Sequence, residues 1–83
     1  MWTIYILRCS DDTYYTGVTT DMARRLKEHN ELACGAKYTR ARRPVQLVYQ
    51  ECVADRSIAQ SREHTIRRLS RQDKVALIEA ATS

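Results

Sequence analysis

The sequence predicts an α+β domain in which a small three-stranded antiparallel sheet is flanked by helices, in the order ββα-β-αα. Short segments rich in β-branched and aromatic residues, separated by turn residues, are typical of strands. Longer segments whose apolar residues recur every three or four positions are typical of helices. A chain of 83 residues is the size of one domain, so we expect residues 1–83 to fold as a single unit.

The first two strands are predicted to form a hairpin. Residues 2–9 and 13–18 are strand-like, and the Ser-Asp-Asp-Thr segment between them carries side chains that favour a turn. A third strand is predicted at residues 45–52. Because side chains alternate along a strand, one of its faces is expected to carry Val45, Leu47 and Tyr49.

Helices are predicted wherever a capping residue precedes a periodic apolar pattern. Thr19, Thr20 and Asp21 offer cap side chains before the first helix, at residues 22–29. Asp55 precedes the second helix, which runs to about residue 69. The second helix is expected to bury Ile58, Ala59, Ile66 and Leu69. Ser70 and Asp73 resemble a capping box that opens the last helix. Residues 30–44 lack periodicity and predict a loop that can include a short helical turn.

Composition favours a cytoplasmic protein and makes a nucleic-acid partner worth considering. A membrane-spanning helix needs about 20 apolar residues, whereas the longest apolar runs here are four residues long, at 4–7 and 75–78. The three cysteines form no metal-ligand motif, so we expect reduced thiols and no zinc site. The net charge of +4 arises largely from residues 36–44 and 56–74. This charge is compatible with nucleic-acid binding or simply with solubility.

Several residues with chemical potential occur in a fixed order along the chain. Tyr5 and Tyr15 lie on the two arms of the predicted hairpin, and the strand register decides whether they share a face. Arg25 and His29 lie one turn apart on the flank of the first helix, and Glu63 lies at the edge of the apolar face of the second. Taken singly, each has an ordinary structural explanation, such as an ion pair between Glu63 and the arginine one turn later.

Together these residues resemble the GIY-YIG nuclease superfamily. The two signature tripeptides of the family correspond to Thr3-Ile4-Tyr5 and Tyr15-Thr16-Gly17, followed in order by Arg25, His29 and Glu63. The chain is similar to the small stand-alone bacterial members from Trp2 to about Ile78. Thr3 replaces the first glycine of the signature and Thr16 replaces the central isoleucine, and neither position supplies a catalytic group.

The resemblance implies a metal-dependent endonuclease that hydrolyses phosphodiester bonds in DNA, with RNA as an alternative. Glu63 would be the ligand of a single Mg²⁺ or Mn²⁺, and Arg25 would stabilise charge on the scissile phosphate. One tyrosine, Tyr15 in preference to Tyr5, would orient or deprotonate the attacking water. His29 would hydrogen-bond the phosphate or a tyrosine, or share the role of base.

A basic segment is a second predicted contact with nucleic acid. It comprises Lys37, Tyr38, Arg40, Arg42 and Arg43. Its cations would bind the phosphate backbone and Tyr38 would stack on a base, although a solvated loop explains the same composition. Arg62, within the apolar face of its helix, is expected to cover the core with its stem while its head reaches water.

Two other functions are compatible with the sequence. The chain is short, so it could be a nucleic-acid-binding module whose nuclease site is weak or silent. Alternatively, its charged surface could meet an acidic protein. Metal-dependent turnover distinguishes the nuclease from the binding module, and the absence of nucleic-acid binding at low salt would favour the protein-interaction domain.

Overall fold

The computed structural model describes residues 1–31 and 35–82, and in this part of the chain it contains three strands and four helices. The strands are β1 (Trp2–Arg8), β2 (Tyr14–Thr19) and β3 (Gln46–Val53). The helices are α1 (Met22–Glu31), α2 (Lys37–Arg40), α3 (Arg56–Arg67) and α4 (Arg71–Thr82). The predicted α+β fold is confirmed, and α2 is the helical turn within the segment predicted as a loop.

The sheet is the middle layer of the fold. Its strand order is β2-β1-β3 with both pairs antiparallel, so β1 is central and β2 lies at an edge. One face carries a cluster of Ile4, Ile6, Ala59 and Ile66, and the side chains of Leu77 and Ile78 from α4 pack against it. The other face carries Tyr5, Leu7, Cys9 and Val45, covered by Met22 and Leu26 of α1. Helices therefore cover both faces of the sheet.

Side-chain caps fix where three of the helices begin. Asp21 Oδ1 accepts a hydrogen bond from the backbone N–H of Arg24 at 3.1 Å, and Asp55 Oδ1 accepts one from Ile58 at 2.9 Å. Ser70 Oγ accepts from the backbone N–H of Asp73 at 3.1 Å. Each cap satisfies a donor that the helix itself leaves unpaired. The predicted helix starts are therefore confirmed.

The structure corrects two predictions about burial. Val45, Leu47 and Tyr49 do not share one face, because the β1–β3 register shifts between Ile6 and Leu7. Leu47 consequently packs on the α1 side and Tyr49 on the α3 side. Ile58 is 50% exposed because the face that α3 buries is set by Ala59 and Ile66, seven residues apart, and Ile58 points away from it.

The remaining sequence expectations concern apolar helices, the thiols and Arg62. Among the described residues, no helix combines the length and the apolar character that a membrane crossing requires. Cys9 is a buried free thiol and Cys52 an exposed one, while Cys34 lies outside the described residues. Arg62 differs in part, since its Nε donates to both carboxylate oxygens of Glu51 at 3.1 Å instead of reaching only water.

Candidate active site

A cavity of about 530 Å³ lies at the free edge of β2. Four of the five predicted catalytic residues line it: Tyr5, Tyr15, Arg25 and Glu63. Arg25 comes from α1 on one face of the sheet, and Glu63 comes from α3 on the other. An interior strand would separate these two helices, whereas an edge strand lets side chains from both faces meet around it.

The strand register brings the two tyrosines onto one face. Tyr5 is paired with Gly17, and Tyr15 is paired with Leu7. Two-residue spacing on each strand therefore places both phenol rings on the α1 side, with their centroids 6.4 Å apart. A Cβ atom at Gly17 would lie 2.5 Å from Tyr5 Oη and 2.7 Å from Cζ. Because Gly17 has no Cβ atom, the Tyr5 ring can lie against β2 at this position.

A buried chain of hydrogen bonds holds Tyr5 in place. Tyr5 Oη lies 2.8 Å from His29 Nε2, and His29 Nδ1 lies 2.8 Å from Thr39 Oγ1. Thr39 donates its hydroxyl proton to the backbone carbonyl of Ala36 at 2.8 Å. Thr39 must then accept from His29 Nδ1–H, which leaves Nε2 to accept from the Tyr5 hydroxyl. This assignment follows from counting donors and acceptors.

The environment keeps both groups of this chain in their neutral forms. Burial raises the pKa of Tyr5 to about 12, an effect that the neighbouring Arg25 guanidinium opposes. Burial and the charge of Arg25 lower the pKa of His29 to about 4. At neutral pH, Tyr5 is therefore a protonated donor and His29 is an uncharged acceptor. His29 is fully buried. It was expected to hydrogen-bond a phosphate or a tyrosine, and the structure contains the bond to a tyrosine.

We expect the His29 ring to stay uncharged between pH 5 and 8. In the unfolded chain histidine titrates near 6.5. Below this pH the unfolded state therefore binds a proton that the folded state does not bind. The free energy of unfolding therefore falls as the pH decreases from about 6.5 to 4, by up to about 3 kcal/mol for this group. Ring chemical shifts in an NMR titration measure this directly. A midpoint near 6.5 for His29 would contradict the buried network.

Tyr15 is held by ring contacts and keeps its hydroxyl available. Its ring makes an edge contact with His29 at a centroid distance of 5.2 Å and stacks on Tyr38 at 5.9 Å. Within residues 1–31 and 35–82, the structure gives the Tyr15 hydroxyl no hydrogen-bond partner. A water molecule or a phosphate oxygen in the cavity can therefore bind it. This is the physical difference between Tyr15 and Tyr5.

Arg25 is oriented by an acid on its own helix. Its Nη1 donates to Glu28 Oε1 at 2.8 Å, and this contact raises the pKa of the guanidinium further. Arg24 Nε holds the other oxygen of Glu28 at 3.2 Å. Glu28 thus fixes one end of the Arg25 guanidinium, whose side chain is 27% exposed at the wall of the cavity.

Glu63 is both a cavity residue and a member of an ion pair. Its side chain is 16% exposed, and Oε1 lies 3.5 Å from Arg67 Nε. No group of three or more His, Cys, Asp or Glu side chains among the described residues could hold a metal ion. A single carboxylate nevertheless fits Mg²⁺ or Mn²⁺, because Mg²⁺ usually keeps several waters and binds one or two carboxylates together with substrate phosphates.

The basic segment is largely tied to the rest of the molecule. Arg43 donates to the carbonyls of Glu28 and His29 at the end of α1, at 3.2 Å and 2.6 Å. Arg42 pairs with Asp11 at 2.9 Å, and its guanidinium carbon lies 3.8 Å from the ring centroid of Tyr38. Tyr38 lines the cavity with its ring already in contact with Tyr15 and Arg42. The segment therefore supports the site, and its exposed cations are Lys37 and Arg40.

Sequence reasoning missed several residues of the cavity wall, including Thr16, Gln60, Arg67 and Lys74. Helical spacing identified Arg67 as an ion-pair partner of Glu63 but not as a cavity residue, and the same spacing could have identified Gln60, about one turn before Glu63. Lys74 comes from α4, and no local pattern links it to the other residues. Thr16 was set aside as a strand residue, yet its buried Oγ1 has no hydrogen-bond partner in the part of the chain that the structure describes.

Comparison with known proteins agrees with the geometry. Residues 1–76 match the family model for the GIY-YIG catalytic domain. The UPF0213 protein of Desulfotalea psychrophila is 54% identical over 80 residues, covering 96% of this chain and 73% of that protein. The UPF0213 protein of Haloquadratum walsbyi is 54% identical over 79 residues, covering 95% and 88%. These names state no activity.

A solved structure has the same fold. The solution NMR structure of the UPF0213 protein BH0048 from Bacillus halodurans is 41% identical in sequence and superposes with a TM-score of 0.61. The match covers 96% of this chain and 85% of that one. The likeness in sequence and the likeness in fold therefore extend over nearly the same residues.

Proposed function

The chain belongs to the GIY-YIG nuclease superfamily, and on that premise we propose that it is an endonuclease that hydrolyses phosphodiester bonds in DNA. The observation that carries the proposal is the shared cavity of Tyr5, Tyr15, Arg25 and Glu63. These groups are two phenols, a guanidinium and a carboxylate. A phosphate ester, a water molecule and a hard cation are the partners that such groups bind together.

Arg25 stabilises the phosphate in this proposal. Its guanidinium has donors that match the geometry of phosphate oxygens. Glu28 holds it at 2.8 Å, so little reorganisation is needed when negative charge develops on the scissile group. The same cation lies beside the Tyr5 hydroxyl and opposes the rise in its pKa, which couples the two side chains electrostatically.

Tyr15 orients the attacking water or takes its proton. Tyr5 is less suited to this role, because its proton is donated to His29 and burial raises its pKa to about 12. Tyr5 instead contributes its ring to the cavity wall beside Gly17. His29 acts through Tyr5 as a positioning residue, and the proposal assigns it no contact with substrate.

Glu63 would hold the metal ion, and Gln60 supplies a neighbouring amide to the same wall. When bound, Mg²⁺ or Mn²⁺ neutralises phosphate charge and lowers the pKa of a coordinated water. Arg67 now pairs with Glu63 at 3.5 Å, and its side chain is 60% exposed. A long ion pair with an exposed arginine contributes little to stability. The Glu63 carboxylate can therefore exchange Arg67 for a metal ion.

The same ion pair is the observation that favours the alternative function. A carboxylate already paired with Arg67 is a weaker ligand, and the chain would then be a nucleic-acid-binding module with a silent site. Such a module would bind DNA with strong salt dependence and would not turn it over.

Cleavage of labelled DNA and RNA in Mg²⁺, in Mn²⁺ and in EDTA tests the proposal. We expect strand breaks in DNA with either metal and none in EDTA. Binding measured on the same substrates distinguishes the two functions. Salt-sensitive binding without cleavage in either metal would reject the nuclease and support the binding module, and cleavage that persists in EDTA would reject the role of the metal.

A further inference from the structure

The cations that line the cavity differ in their partners. Arg25 pairs with Glu28 and Arg67 pairs with Glu63. Lys74 also lines the cavity, and it forms no ion pair with any carboxylate in residues 1–31 and 35–82. Lys74 is a half-buried residue, and a lysine at a cavity wall without an acidic partner can bind an anion.

Lys74 is held in position by the packing of α4. Arg71, one turn earlier, donates to the backbone carbonyl of Asp12 at 2.6 Å and to its carboxylate at 3.1 Å. The Arg71 guanidinium also lies 5.0 Å from the ring centroid of Tyr14, a residue of the cavity wall. Further along the helix, Leu77 and Ile78 pack on the core. These contacts fix Lys74 on the α3–α4 side of the cavity.

We propose that Lys74 and Arg67 form a second anion subsite, which binds a phosphate adjacent to the scissile one. The inference rests on the proposed function, in which Arg25 binds the scissile phosphate from the α1 side. Arg67 and Lys74 belong to α3 and α4, so cations approach the edge of β2 from both faces of the sheet. Two phosphates of one strand can then each meet a cation.

The composition of the cavity favours a polynucleotide strand over a single phosphate ester. Its volume is about 530 Å³, within the 300–1,000 Å³ range of typical ligand pockets. This volume is far larger than a single phosphate group needs. Tyr14, Tyr15 and Tyr38 contribute aromatic surface to the same cavity, and aromatic rings can pack against sugars and bases. In this proposal the protein recognises its substrate partly through the phosphate next to the bond that is cleaved.

Lys74→Gln separates this role from a general effect of charge. We expect kcat/KM for a DNA oligonucleotide to fall about tenfold, the value of one charge-assisted hydrogen bond. Hydrolysis of bis(p-nitrophenyl) phosphate, which has one phosphate and no neighbour, should be unchanged. Lys74→Arg should retain most of the activity because it keeps the charge. Lys27→Gln, on the exposed face of α1, is the matched control and should leave both substrates unaffected.

Binding provides a readout that does not depend on turnover. In a plot of log binding constant against log salt concentration, loss of one phosphate contact reduces the slope by about 1. We expect this change for Lys74→Gln and not for Lys27→Gln. If the wild type binds but does not cleave, a reduced slope still supports the subsite while the nuclease proposal fails.

Three results would overturn the subsite. The first is an unchanged slope and unchanged cleavage in Lys74→Gln, which would leave the nuclease proposal standing. The second is an equal loss on both substrates by a folded Lys74→Gln protein. The third is an equal effect of Lys27→Gln, which would show that only net charge matters.

Discussion

Replacing Arg25 by alanine is expected to lower the kcat of DNA cleavage by at least about 100-fold, the usual effect of removing one donor that stabilises transition-state charge. The physical reason is that Glu28 holds the guanidinium at the cavity wall before substrate arrives. A preorganised cation of this kind stabilises the transition state without reorganisation. Single-turnover cleavage in Mg²⁺ or Mn²⁺ measures the effect, and circular dichroism checks the fold.

Arg24→Ala is a matched control on the neighbouring residue. Arg24 also pairs with Glu28, at 3.2 Å, but its side chain is 77% exposed and does not line the cavity. We expect this variant to cleave DNA at nearly the wild-type rate. Equal rates for the wild type and Arg25→Ala, or equal losses in the two variants, would show that Arg25 has no special role in the reaction.

Gly17→Ala is expected to destabilise the protein by about 1–3 kcal/mol, the usual cost of adding a group to a well-packed core. We also expect the rate of DNA cleavage to fall. The new Cβ would lie 2.5 Å from Tyr5 Oη and 2.7 Å from Cζ. Tyr5 is 1% exposed, and its hydroxyl is bound to His29, so the ring has little room to move. Without this contact, alanine in a strand would be favoured over glycine, so the sign of the effect is informative.

Tyr5→Phe provides the partner for a double-mutant cycle with Gly17→Ala. It removes Oη, the atom nearest to the added methyl group. Part of the lost stability should therefore return in the double variant, giving a coupling energy on the order of 1 kcal/mol. Urea denaturation supplies the four free energies of unfolding. Additive effects, or a Gly17→Ala variant as stable as the wild type, would contradict the close approach of the Tyr5 ring.

Local signals were sufficient to predict most of the fold. Asp21, Asp55 and Ser70 cap the helices that they were expected to open, because a cap depends only on a few neighbouring residues. The faces of the third strand could not be predicted in the same way. The register shift opposite Ile6 and Leu7 arises from pairing with β1, and alternation along β3 alone contains no sign of it.

The members of the candidate site were predictable by resemblance, whereas their arrangement was not. Tyr5, Tyr15, Arg25 and Glu63 share the cavity because β2 lies at the edge of the sheet, and strand order is a tertiary property. The position of His29 depends on Thr39, which lies in a segment without periodicity. Lys74 is brought to the cavity by the docking of α4, so no motif in the sequence singles it out.

The most direct test of the account is the metal-dependent rate of DNA cleavage by the wild type and by Glu63→Gln, measured side by side. The amide keeps the shape of the side chain and removes its charge, so a metal that depends on Glu63 is lost without unfolding the domain. Glu31→Gln, at the exposed end of α1, makes the same change away from the cavity. We predict cleavage by the wild type and Glu31→Gln in Mg²⁺ or Mn²⁺, and none by Glu63→Gln. Undiminished metal-dependent cleavage by Glu63→Gln would contradict the account.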